Sequence, residues 1–260
     1  MFHPSSHPRG ASAFPSRVGA VSRVGAAALL ACCLLGPSRN ARGQEAPASA
    51  TPPKARTLHA LTLGVGANEY DHFAVAGYRL RLPRGLQLGL ETRHAQVRES
   101  FLAGYAVDQG YLGELRGELI IPVYDDGQLW LGVELRPGVE VYLGGDDEDQ
   151  RADLDDGFGV ILDTGVLANL RLDPTWTVSL GARLPFTLEV APEVIQDRVG
   201  ALIVAGGNAA VADHVQLFAT LETGGLFGAD GDGAKYLVQG TVGTRLVFGP
   251  GAPARRWRTF

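Results

Sequence analysis

The residues from Thr175 to Val190, TWTVSLGARLPFTLEV, separate cleanly when taken two at a time. Trp176, Val178, Leu180, Ala182, Leu184, Phe186, Leu188 and Val190 fall in one set; Thr175, Thr177, Ser179, Gly181, Arg183, Pro185, Thr187 and Glu189 fall in the other. A β-strand sends successive side chains to opposite faces, so this period of two places one wholly apolar face against one polar face. Strands of soluble domains are usually about 5–6 residues long. A run this long, with aromatics toward both ends of its apolar face, has the length and pattern of a strand that crosses a lipid bilayer.

The same alternation recurs from Arg56 onward. Leu61, Leu63 and Val65 share a face, as do Ala74, Ala76, Tyr78, Leu80 and Leu82 opposite Arg79 and Arg81. Leu86, Leu88 and Leu90 oppose Gln87, Glu91 and Arg93, and Tyr111, Leu115, Leu119 and Ile121 oppose Glu114, Arg116 and Glu118. The run from Leu129 to Val141 sets Glu134, Arg136 and Glu140 opposite its leucines and valines, with Trp130 and Tyr142 on the charged side. Phe158 to Leu172 opposes Asp163, Asn169 and Arg171. Ala201 to Val211 is apolar on both faces, Val215 to Leu221 opposes Gln216, Thr220 and Glu222, and Tyr236 to Phe248 opposes Lys235, Gln239 and Arg245. With the opening stretch, this predicts ten strands, with eight or twelve as neighbouring solutions.

The connections follow a rhythm of their own. Pro83–Gly85, Asp125–Gly127, Asp173–Thr175 and Ala212–His214 are tight turns;. Between them lie longer polar or glycine-rich connections: Asn68–Asp71, Glu99–Gly110, Gly144–Gly157, Ala191–Gly200 and Gly224–Ala234. An up-and-down antiparallel transmembrane β-barrel, with short turns at one end and loops at the other, produces this alternation. The expected fold is all-β and closed.

At the N-terminus, Arg9, Arg17 and Arg23 precede the apolar run Val24–Gly36, VGAAALLACCLLG. A positive segment, a short apolar core and a small-residue exit read as a secretory signal peptide, because the core is shorter than the roughly 20 residues of a spanning helix. The expected organisation is a signal peptide over 1–43, a disordered linker over 44–55, the barrel over 56–248 and a basic C-terminal tail over 249–260. Both cysteines, Cys32 and Cys33, lie in the apolar run, which excludes a disulfide framework or thiolate chemistry in the barrel itself;. A net charge of −5 gives no sign of nucleic-acid binding.

The charged face carries Arg79, Arg81, Arg93, Arg116, Arg136, Arg171, Arg183 and Arg245 against Glu91, Glu114, Glu118, Glu134, Glu140, Asp163, Glu189 and Glu222. The signs are equal in number, and the strand cation is Arg throughout except for Lys235. Arg suits bidentate pairing with carboxylates in a confined space. These sixteen residues are therefore expected to form an ion-pair network filling the lumen, with the apolar face turned to lipid. Ten strands enclose little more than packed side chains, whereas wide aqueous bores belong to barrels of about 16–18 strands.

With the export segment, the alternating strands and the turn rhythm, the chain over Arg56–Phe248 resembles small bacterial outer-membrane β-barrel proteins. The resemblance implies location in the outer membrane of a Gram-negative envelope, insertion by the barrel-assembly machinery, contact with outer-membrane lipid, and a monomer. Such proteins commonly end in a strand whose last residue is aromatic; Phe248 and Phe260 are the candidates here.

Three functional readings follow. The first is a structural or narrow-channel, porin-like barrel with no enzymatic activity and no cofactor. The second is an outer-membrane hydrolase, a protease or lipid deacylase. Ten-stranded outer-membrane proteases use an Asp pair and an Asp–His pair at the outer rim, for which His72 beside Asp71, and His94, are the candidates on the loop side, while Asp213–His214 lies in a short turn at the other end. The third is a secreted soluble lipocalin-like barrel, which requires the apolar face to point inward. The acidic loop Gly144–Gly157 offers Asp146, Asp147, Asp149, Asp153 and Asp155 as oxygen ligands for Ca²⁺, against the reading of a solvated surface loop;.

Overall fold

The computed structural model describes residues 57–69, 71–97, 110–144, 157–191, 197–228, 234–251 and 253–257. Ten antiparallel strands run in order: β1 (Leu58–Ala67), β2 (Asp71–Arg81), β3 (Gln87–Val97), β4 (Gly110–Asp125), β5 (Leu129–Gly144), β6 (Gly157–Arg171), β7 (Trp176–Ala191), β8 (Arg198–Ala210), β9 (Val215–Gly228) and β10 (Ala234–Phe248). Each strand pairs with its neighbours in sequence, and β1 closes on β10 in a register running from His59 opposite Phe248 to Ala67 opposite Gly240. Closure removes both sheet edges, so every strand has a hydrogen-bonding partner on each side.

The turns are built by the residues that punctuate the sequence. Asp126 Oδ1 accepts hydrogen bonds from the backbone N–H groups of Gln128 (2.9 Å) and Leu129 (2.7 Å), with Gly127 at φ 93 between them. Asp173 repeats the device on Thr175 and Trp176, at 2.6 and 2.8 Å. A short Asp side chain that caps the next backbone donors stabilises a tight reversal. In β4 the ladder slips between Pro122 and Tyr124. Proline has no N–H to give the ladder, which is why the irregularity falls there.

Three corrections to the expected boundaries bear on the site. Strand β8 begins at Arg198, inside the segment assigned to a loop, and β2 begins at Asp71. Likewise β9 continues through Gly224 to Gly228, the start of another expected loop.

The barrel is turned greasy side out. Leu63 (64% exposed), Leu180 (60%) and Ile203 (59%) stand on the outer wall, while Glu134 (3%) and Asp163 (1%) are buried within. The soluble lipocalin-like reading needs the reverse and does not hold. Aromatics on the outer wall gather toward both ends: Tyr78, Tyr124 and Phe248 toward the short turns, and Tyr111, Phe158, Phe186, Phe227 and Tyr236 toward the loops. Along β7, ten residues separate Trp176 from Phe186. At about 3.4 Å per residue and a tilt of about 40°, the apolar belt is about 26 Å tall, which matches the hydrocarbon band of spanning barrels.

Inside, the short-turn end is closed by two apolar clusters. One is Ile120, Trp130 and Leu167; the other joins Leu58, Ala60, Ala210 and Val247 of the wall to Ala254 and Trp257 of the segment after β10. Trp130 and Tyr142 point inward, as the alternation predicts.

Candidate functional site

Among the described residues the lumen holds two connected chains of ion pairs and a further pair between Glu140 and Arg198. The first begins with Glu222 on β9, which pairs with Arg183 on β7; Arg183 reaches Glu134 on β5 at 3.2 Å. Glu134 lies 3.6 Å from Arg136, which also pairs with Glu91 on β3 and approaches Glu118 on β4 at 3.9 Å. Arg79 on β2 completes the chain by pairing with Glu118 and lying 3.8 Å from Glu91. This series crosses the barrel from β9 to β2. In the second chain Asp71 pairs with Arg93 at 3.1 Å, Arg93 with Glu114 at 3.3 Å, and Glu114 with Arg116 at 2.7 Å, ending at Asp163 on β6. Glu140 and Arg198 pair at 2.6 Å.

Many of these pairs join strands that are second neighbours, and glycine makes that reach available. Glu134 and Arg183 face each other across Gly165, which is in register with both. Arg79 and Glu118 stand in the same relation across Gly89, where a Cβ would sit 2.7 Å from the Glu118 carboxylate and 3.0 Å from Arg79 Cγ. A side chain on the intervening strand would occupy the space that the ion pair uses.

Of the sixteen residues the sequence nominates, twelve are joined in this way and three, Arg81, Arg171 and Arg245, are placed differently. Arg81 turns to the short-turn mouth, lying 3.8 Å from Asp125 and donating to the Arg256 carbonyl at 2.6 Å. Arg171 donates to the Arg255 carbonyl. Arg245, 1% exposed, donates to neutral oxygens: Thr62 Oγ1 at 3.3 Å, Asn208 Oδ1 at 3.4 Å and Gln216 Oε1 at 2.9 Å. The Glu189 side chain lies outside the described residues. Asp71 and Arg198 were absent from the nominated set and belong to it. Both were assigned to loops, yet Asp71 shares parity with Phe73 and Arg79, and Arg198 alternates with Val199, Ala201 and Ile203.

The candidates for other chemistry are dispersed. Asp71 pairs inward with Arg93, whereas His72, the next residue on the same strand, is exposed on the opposite face. Consecutive strand residues point apart, so these two do not form a dyad. His94 bonds the Tyr111 hydroxyl on the outer wall, His59 bonds the Tyr78 hydroxyl at 2.6 Å, and His214 Nδ1 lies 2.9 Å from the Val247 carbonyl. Asp146, Asp147, Asp149, Asp153 and Asp155 lie outside the described residues. Among the described residues no group of three or more His, Cys, Asp or Glu side chains is arranged to hold a metal.

Beside the ion pairs the lumen holds a cavity of about 180 Å³. Arg136 and Arg183 of the ionic layer line it, as do Arg245, Phe73, Phe218 and Leu202. The Phe73 ring lies against Gly66, where a Cβ would come within 2.2 Å of it, so the ring sits flat on the wall. The Arg93 guanidinium stacks 4.0 Å from the same ring, a cation–π contact;.

No protein-family model matches the chain, and no curated protein matches it. Solved structures that align with the chain include the outer membrane protease OmpT of Escherichia coli, at 8% identity over 78% of this chain and 100% of that one with a TM-score of 0.38. An outer membrane channel of Pseudomonas putida F1 is 11% identical over 79% of this chain and 100% of that chain, TM-score 0.41. The translocator domain of the autotransporter NalP of Neisseria meningitidis is 12% identical over 90% and 100%, TM-score 0.38. In architecture the chain resembles bacterial outer-membrane β-barrels. The ten-strand closure rests on this chain's own strand pairing rather than on those likenesses.

Proposed function

We propose that the chain is an outer-membrane β-barrel that acts as a structural element with a closed lumen, without enzymatic activity. One observation supports this above the others: the outer wall carries an apolar belt of bilayer height while the charged side chains neutralise one another inside. Exposing that belt to water would leave a contiguous apolar surface far larger than soluble monomers tolerate. Lipid accepts it, provided the backbone is fully paired, as closure ensures.

The narrow-channel form of this reading requires a continuous path, and two features oppose one. Ion pairs narrow the lumen at mid-height to the cavity beside them, and the apolar clusters around Trp130 and Trp257 close the short-turn end. Refolded protein is expected to show heat-modifiable mobility on detergent gels and to stay silent in planar bilayers. Mobility unchanged by heating would refute the membrane barrel; steady conductance would refute the closed lumen.

A further inference from the structure

The wall closes only half of the short-turn mouth by itself. On the β4–β6 side Trp130, Ile120 and Leu167 fill the interior. On the opposite side Leu58, Ala60, Ala210 and Val247 of the wall line a recess. The recess is filled by the segment that follows β10. Gly251, at φ 84, adopts the left-handed backbone that side chains disfavour, and the chain reverses into a short 3₁₀ turn, η2 (Ala254–Arg256);. Ala254 (0% exposed) and Trp257 (1%) then lie in the recess.

The segment is held through its own backbone. Gln216 Nε2 donates to the carbonyls of Ala254 (3.2 Å) and Trp257 (2.9 Å), and the Ala254 N–H donates to the Asp213 carbonyl at 3.0 Å. Arg81 and Arg171 reach the carbonyls of Arg256 and Arg255. The Arg245 guanidinium stands 5.9 Å from the Trp257 ring and also lines the lumen cavity, so the indole lies directly beneath that cavity.

The geometry points to the C-terminal segment as a removable stopper: Trp257 separates the cavity from the short-turn mouth, and its withdrawal converts the closed barrel into a passage for small ions. This inference rests on the closed-lumen reading above. Trp130 belongs to β5 and cannot leave without breaking the wall, whereas Trp257 follows the last strand. Arg255 and Arg256 project into solvent, and a few hydrogen bonds hold the segment where a strand has a whole ladder. A segment outside the strand ladder opens at lower free energy than the sheet it rests on. Because arginines and carboxylates are nearly balanced along the lumen, the passage is weakly selective between cations and anions;.

The test is planar-bilayer recording of three purified, refolded proteins: the full chain, the chain ended after Gly249, and full-length Trp257→Ala. Heat-modifiable mobility establishes that each barrel is closed. The full chain is expected to be silent, the shortened chain to show discrete steps at least ten-fold above leak, and Trp257→Ala to show brief openings. A shortened chain that migrates as folded yet stays silent overturns the stopper. If the shortened chain fails to fold, silent folded Trp257→Ala overturns it. A full chain that already conducts with the same step size defeats the closed-lumen reading instead.

Discussion

Replacing Arg136 with leucine removes the residue at the centre of the lumen. Its guanidinium touches Glu91 and lies 3.6 Å from Glu134 and 3.9 Å from Glu118, and all four side chains are largely shielded from solvent. At an effective dielectric of about 20, each of the two longer contacts represents an attraction of about 4 kcal/mol. Relief of the Arg desolvation penalty offsets much of that sum, while three buried carboxylates are left with Arg79 and Arg183 as partners. Removing one member of a buried ionic group typically costs about 3–5 kcal/mol. With a urea slope of about 2 kcal/mol per molar, the unfolding midpoint in detergent or lipid falls by about 2 M. The shift should persist in about 1 M salt, because buried pairs are screened far less than exposed ones. A loss below about 1 kcal/mol is what a solvent-exposed ion pair gives, and would refute the picture of a desolvated ionic layer. The double variant Arg136→Leu/Glu134→Leu should lose less than the sum of the single losses, since the attraction between the two residues is counted in both single losses.

Two further outcomes are expected. Leu180→Arg, at the middle of the apolar belt on β7, should cost about 2–4 kcal/mol in a lipid-based refolding titration if that face meets acyl chains; a negligible cost would mean it meets water;. In the β4–β5 turn, the backbone donors of Leu129 and Gln128 hold the Asp126 carboxyl below its usual value. A depressed carboxylate stabilises the fold above its unfolded-state pKa, and that contribution is lost as pH falls through the folded value. The urea midpoints of wild type and Asp126→Ala should therefore differ near neutral pH and converge as pH falls below the usual carboxylate range; a constant gap would show that the charge plays no part;.

The barrel was legible because one signal, a period of two, is imposed on every strand by a wall with lipid on one side and a charged interior on the other. That is why Trp176 to Val190 announced both the strand and its facing. Boundaries were less legible. Arg198 and Asp71 sit where polar loop composition meets strand parity, and composition obscured a pairing that parity alone would have revealed. Arg245 illustrates a different limit: its place on the charged face follows from alternation, but its neutral partners depend on which strands the closure brings opposite it. The inward fold of the C-terminal segment had no periodic signal, because a reversal set by Gly251 and a recess lined by Leu58, Ala60, Ala210 and Val247 are properties of the assembled mouth.

The glycines at positions 89 and 165 carry a mechanical implication. A ladder of backbone hydrogen bonds ties each stave of the barrel only to the one beside it, and such a cylinder can still flatten or skew. Struts that skip a stave resist both distortions, much as diagonal bracing stiffens a frame whose joints alone would hinge. Filling the gap at Gly89, even with a methyl group, should leave the hoop intact yet more easily squeezed out of round by the pressure of the surrounding membrane.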